Sequence, residues 1–176
     1  MFEAFVLAHQ DMVYATAVRL LGNPAEAEDV AQTVFLKAYE NFERIGSSPT
    51  AAGWLRTTAR NACLNHLARY RSRWRLFSEM DGGSETDADT PYDGQIPAPG
   101  SAALDLEGAE VRAHLERALW MLPDHQRVPL VLFHFEEMSY QEIASGLGIS
   151  IAKVKVDIHR GRQALRRHLW IHDGTR

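Results

Sequence analysis

The chain has 176 residues, 45% of them apolar, with one cysteine and a formal net charge of −4. That length supports one medium domain or two small ones with real cores, and the lone Cys63 excludes an internal disulfide and suits a reducing compartment. The longest apolar run, Pro129–Phe135, is far too short for a membrane span, and the opening MFEAFVLAHQ carries Glu3 and no Lys or Arg, so the chain reads as soluble and cytoplasmic.

The net charge hides its distribution. Nine acids and no Lys or Arg lie between Leu76 and Glu110; without those nine acids the chain carries +5. Six Arg and no acid lie between Arg56 and Arg75, and six bases and one acid, Asp157, between Lys153 and Arg167. Two basic blocks around an acidic one point to a polyanionic partner held at two sites.

Residues 1–75 read as three helices. Phe2, Phe5, Val6, Val13, Ala17 and Leu20 keep helical spacing. The second helix opens at Asn23-Pro24-Ala25-Glu26, where Asn23 caps, Pro24 suits the first position and Glu26 reaches back. Its stripe is Ala27, Val30, Ala31, Val34, Phe35, Ala38 and Phe42. A loop over residues 44–53 precedes the third helix, which buries Leu55, Thr58, Ala59, Ala62, Cys63, His66, Leu67 and Tyr70. Arg56, Arg60 and Arg71 fall on its far side, and Cys63 reads as a small buried hydrophobe.

Residues 76–104 are rich in Gly, Pro, Ser and Asp, without apolar period, and read as a flexible acidic linker. Residues 105–172 read as four helices. The first carries Val111, Leu115, Ala118, Leu119 and Leu122. The second runs from near Pro123 to about Glu137 with Pro129 as a kink, which makes Glu136-Glu137 an exposed helix end. Ser139-Tyr140-Gln141-Glu142 is a capping box. Gly148 can end that short helix in the left-handed conformation, and Ser150 can cap the next. Ile143, Leu147, Ile149, Val154 and Ile158 form a shared seam, with small Ala144 allowing close crossing. This is the spacing of a helix-turn-helix.

In the last helix Ile151, Val154, Ile158, Leu165 and Leu169 are expected inside. Ala152, Val156, His159, Arg160 and Gln163 face outward, flanked by Lys153, Lys155, Arg162 and Arg166. Long cations beside a central strip suit a major groove, bases at the centre and phosphates at the edges; the alternative is a merely solvated face. Asp157 is expected near a flank, where phosphate would repel it unless Lys153 or Arg160 pairs with it. His168 and His172 stand four apart, as a metal clip would require, yet read as ordinary tail residues. No phosphate-binding Gly-rich loop with Lys, no HExxH and no Cys–His metal spacing is present, so no catalytic residue, metal or cofactor is expected.

At these motifs the chain resembles the bacterial sigma factors of the extracytoplasmic-function group. LPDHQRVPLVLFHFEEMSYQEIASGLGISIAKVKVDIHRGRQALRRHL is similar to their C-terminal domain, FEAFVLAHQDMVYATAVRLLGNPAEAEDVAQTVFLKAYENF to the start of their N-terminal domain, and GWLRTTARNACLNHLARYRSR to the segment that opens and reads the −10 element. The resemblance implies an all-α chain: a sigma region 2-like domain over 1–75, the acidic linker over 76–104, and a region 4-like helix-turn-helix domain over 105–172. It implies polymerase docking through Glu26, Glu28, Asp29 and Gln32, although acids in a first turn also complement the helix dipole. It places −10 DNA on the loop 46–53, with Ser47 and Ser48, and on Trp54, Arg56, Arg60, Asn61 and Arg71; Trp54 equally suits a plain core. It places the −35 element on Ala152, Lys153, Lys155, Val156, His159, Arg160 and Gln163. Core RNA polymerase, promoter DNA and an anti-sigma factor are the implied partners. Three positions depart from the pattern: Val156-Asp157 replace a small polar residue and Arg, Thr33 replaces an acid, and Gly146 replaces a helix former. The rival readings are a sigma mimic that sequesters an anti-sigma factor and a helix-turn-helix regulator without polymerase contact.

Overall fold

A computed structural model describes residues 1–68 and 106–173. Residues 69–105, which include Tyr70, Arg71 and the expected linker, lie outside the described residues, as does the side chain of His172. Every regular element among the described residues is a helix, and the chain divides into two compact units, Met1–Arg71 and Ser72–Arg176.

In the first unit α1 (Phe2–Leu21), α2 (Pro24–Glu40) and α4 (Ala51–Ala68) pack pairwise around Val13, Ala17, Leu20, Ala27, Val34, Ala38, Leu55, Ala59 and Cys63. The turn from α1 to α2 follows the local chemistry. Gly22 is left-handed (φ 63) and donates to Val18, and Asn23 Oδ1 accepts from the Ala25 and Glu26 amides at 3.0 and 3.4 Å.

The expected stripe of α2 ran on to Phe42, but the helix stops at Asn41. The Asn41 amide side chain donates to the Lys37 carbonyl at 2.8 Å, competing for a ladder acceptor, and its backbone N–H turns back to Ala38. A short additional helix, α3 (Phe42–Ile45), follows. Its end packs against its own start: a Cβ on Gly46 would lie 2.6 Å from the Phe42 ring, so glycine alone fits. The loop is shorter than expected. Ser48 Oγ accepts from the Thr50 amide at 3.2 Å, the Ala51 amide bonds the Ser48 carbonyl, and Ala51, Ala52 and Gly53 are already helical. Thr58, Ala62 and His66, expected inside, are only half-buried.

In the second unit α5 (Leu106–Trp120), α6 (Asp124–His134) and α7 (Tyr140–Leu147) all pack on α8 (Ile151–Asp173). The core is Leu119, Leu122, Val128, Leu130, Val131, Leu132, Ile143, Val154, Ile158 and Leu165. Val111 and Ile151 do not join it; they are 69% and 40% exposed. Ile151 shares the stripe of Val154 and Ile158 but lies one turn ahead of the first buried position.

Helix α6 ends three residues before the expected Glu137. The amides of Phe135 and Glu136 both reach back to Val131, that of Met138 reaches Leu132, and Glu137 takes a left-handed backbone (φ 55). That turn buries Glu136 and leaves only Glu137 exposed, so the pair is not an exposed helix end. Pro129 is accommodated inside α6, where its missing N–H would have bonded only the first-turn carbonyl of His125.

Candidate nucleic-acid and polymerase interfaces

The helix-turn-helix is closed by three local hydrogen bonds and one left-handed glycine. Ser139 Oγ accepts from the Glu142 amide (3.2 Å), and Glu142 Oε2 accepts from the Ser139 amide (2.8 Å). Gly148 ends α7 at φ 67, a conformation that costs a glycine nothing, and Ser150 Oγ accepts from the Lys153 amide at 3.1 Å. Ile143, Ala144, Leu147, Val154 and Ile158 are buried in the seam, which orients α8.

The exposed strip of α8 is Ala152, Lys155, Val156, His159, Gln163 and Arg166, with Lys153, Arg160 and Arg162 half-buried beside it. Val156 is 41% exposed on this strip. His159 Nε2 and Gln163 Nε2 lie 3.0 Å apart. Such a strip offers polar and apolar groups at its centre and cations at its edges.

Asp157 is a correction. It is 0% exposed and belongs to the packed side of α8, not to a flank that phosphates approach. Gly161 and Ala164 share that side, and a Cβ on Gly161 would meet the Gln126 carbonyl at 3.1 Å, so α6 crosses close enough to cover Asp157. Lys153 Nζ donates to Asp157 Oδ1 at 2.5 Å, which is the pairing the spacing allows, while Oδ2 has no hydrogen-bond partner among the described residues. Burial pushes the Asp157 carboxyl above its ordinary value. The Lys153 hydrogen bond and charge, and then His125 on α6 and Arg160, pull against that shift.

On α2 the residues Glu28, Asp29 and Gln32 share one exposed face with Thr33. Glu26 turns away; its carboxylate lies 3.2 Å from His66 Nε2 on α4, so it does not reach back to the Asn23 amide as expected. On α4, Arg56 and Asn61 are exposed, Arg60 and Trp54 half-buried. Ser47 and Ser48 lie in the turn that leads into this helix, so four of the six described −10 candidates lie at or before its first half, with Arg60 and Asn61 just past its midpoint. The half-burial of Trp54 serves packing and leaves part of the ring accessible.

Two family models match the chain: Sigma-70 region 2 over residues 5–73 and Sigma-70, region 4 over residues 111–165. The ECF RNA polymerase sigma factor SigW of Bacillus subtilis is 32% identical over 96% of this chain and 88% of its own length. The chain belongs to the ECF RNA polymerase sigma factors. The ECF sigma factor SigE of Mycolicibacterium smegmatis is 33% identical, over 97% of this chain and 62% of its own length. A solved structure, RpoE in complex with the anti-sigma factor NepR from Bartonella quintana, covers 97% of each chain at 25% identity with a TM-score of 0.49.

Three features of this sigma factor escaped the sequence reading. Arg127 is buried, donating from Nη1 to the Leu122 carbonyl (3.1 Å) and from Nη2 to Asp124 (2.6 Å), and so pins the α5–α6 turn. Leu36 and Tyr39 are well exposed on the same face as Glu28 and Gln32, and their i, i+4 and i, i+7 spacing from Gln32 is a signal legible in the sequence. Arg162 crosses to α6, where its Nε donates to His134 Nε2 at 3.1 Å. Burial and the Arg162 charge lower the His134 pKa to about 4, which keeps that nitrogen an acceptor. No described helix is long and apolar enough to cross a membrane.

Proposed function

We propose that this sigma factor docks on core RNA polymerase through the exposed face of α2, engages the −10 element with α4 and the turn before it, and reads the −35 element with α8. The docking face is Glu28, Asp29 and Gln32, joined by Leu36 and Tyr39, with Glu26 acting through its contact with His66. The −10 surface is Ser47, Ser48, Trp54, Arg56, Arg60 and Asn61, together with Arg71. Cations there hold a single-stranded backbone, and planar or polar groups surround an extruded base. On α8, Ala152, Val156, His159 and Gln163 face base edges, where Val156 packs on a thymine methyl, and Lys155 and Arg160 meet phosphates. Lys153 serves Asp157 first and DNA second.

The observation that carries this reading is the match of two sigma regions in order, with α8 presenting an exposed strip edged by cations. The protein acts in the cytoplasm without chemistry of its own, and an anti-sigma factor is its regulatory partner. Run-off transcription with core polymerase on a promoter library is the test. Initiation from a recurring sequence class is expected; no initiation, with an anti-sigma factor still captured, would favour the sigma mimic. An acid exposed near the DNA-facing helix would suit a mimic, but Asp157 is buried.

A further inference from the structure

Two cations of α8 are held in place before any DNA arrives. Phe133 near the end of α6 and Tyr140 at the start of α7 stack with ring centroids 4.8 Å apart and planes 16° from parallel. Arg162 lies over the Phe133 ring at 5.6 Å, and its Nε is committed to His134. Lys155 Nζ lies over the Tyr140 ring at 5.9 Å. The order is cation, ring, ring, cation, spanning three helices. His134 is itself set edge-on against Phe133, with centroids 5.0 Å apart.

Arg162 and Lys155 are seven residues apart, two turns, or about 10 Å along one edge of α8. Lys and Arg have more rotamer freedom to lose than most side chains, and a cation held over a ring face has already lost part of it in the free protein. With Nε engaged by His134, the two terminal nitrogens of Arg162 remain as a fork, the geometry that meets phosphate oxygens in pairs. The rings lie beside the exposed strip of α8, which puts these cations at its edge, where the backbone of a duplex runs rather than its bases.

We propose that Phe133, His134 and Tyr140 are positioning residues for promoter DNA: they pre-order Arg162 and Lys155 as a pair of phosphate contacts along one edge of α8. The proposal rests on the reading of α8 as the −35 helix. It adds Arg162 to the DNA-contacting set and assigns a binding role to three side chains on α6 and α7.

Phosphate contacts are independent of sequence, so the probe is a random-sequence duplex of about two and a half helical turns, titrated with the full chain at several salt concentrations. Lys155→Ala and Arg162→Ala should each flatten the log-affinity against log-salt slope by about 0.9. Tyr140→Leu should weaken binding about two- to fivefold, and Tyr140→Phe, which keeps the ring, should restore it. The deciding readout is the double variant. In a Lys155→Ala background Tyr140→Leu should cost nothing further, and Phe133→Leu should cost nothing further in an Arg162→Ala background. A ring that merely holds the fold would cost the same in both backgrounds, and such additivity overturns the proposal. Unchanged slopes for both alanine variants overturn it too, because the cations then meet no phosphate. If the unsubstituted chain binds duplex without salt dependence, the reading of α8 fails as well, and that outcome is separate from a failure of the rings. Helical circular dichroism of each variant checks that Phe133→Leu and Tyr140→Leu remain folded.

Discussion

Replacing Asp157 by arginine sets the flank reading of that position directly against its burial. On an exposed flank, Asp157→Arg would add a phosphate contact and steepen the salt slope by about one. The structure predicts something else. The side chain is 0% exposed, Lys153 Nζ lies 2.5 Å from it, and His125 and Arg160 bring further positive potential. A guanidinium there would be buried among cations with the Asp157 carboxylate removed. Breaking a buried pair and leaving a charge uncompensated costs about 3–5 kcal/mol. Lys153 is partly exposed and can swing into water, so the lower end applies, about 3 kcal/mol. For a unit of this size that lowers Tm by more than about 10 °C. Asp157→Asn differs in kind. Burial raises the carboxyl's pKa, so the fold favours its ionised form less than the unfolded chain does, and removing its charge should change stability by no more than about 1 kcal/mol. Thermal unfolding of the full chain, followed by circular dichroism at neutral pH, measures both. An Asp157→Arg variant that melts like the unsubstituted chain and binds duplex with a steeper salt slope would refute the burial argument.

His134 gives stability a pH dependence. Its folded pKa of about 4 lies below the unfolded value of 6.5, so the folded state resists protonation; the stability it contributes is present above pH 6.5 and is lost as pH falls towards 4. Discounted for its exposed half, that loss is about 1–2 kcal/mol, and His134→Gln should flatten the fall of Tm with acidification over that window. Charge reversal at Glu28 and Asp29, both exposed, should weaken association with core polymerase in a pull-down while leaving Tm within about 4 °C, since surface changes rarely move stability by more than about 0.5 kcal/mol. The double variant Arg56→Ala with Arg60→Ala should reduce promoter opening, read by permanganate reactivity of unpaired thymines, more than it reduces duplex binding; normal opening would move the single-strand path elsewhere. Gly46→Ala should destabilise the first unit by about 1–3 kcal/mol because its methyl meets the Phe42 ring at 2.6 Å, and denaturant titration reads that loss.

The local punctuation of this chain was legible because each signal acts within a few residues of itself. Asn23 capping α2, the Ser139–Glu142 box, the left-handed Gly148 and the Ser150 cap are hydrogen bonds or backbone conformations that depend on no distant partner. Asn41 belongs to the same class; its bond to Lys37 spans one helical turn, although the apolar stripe continues past it to Phe42. What only the tertiary structure decided is burial at positions off the main stripe. A helical wheel gives α8 one inner side, whereas three helices pack on it, and the close crossing of α6 at Gly161 covers Asp157. The same wheel places Val111 and Ile151 inside, yet both remain exposed. The stacked Phe133 and Tyr140, and the cations they hold, join residues up to 29 positions apart, a distance over which spacing carries no information until α6, α7 and α8 have docked.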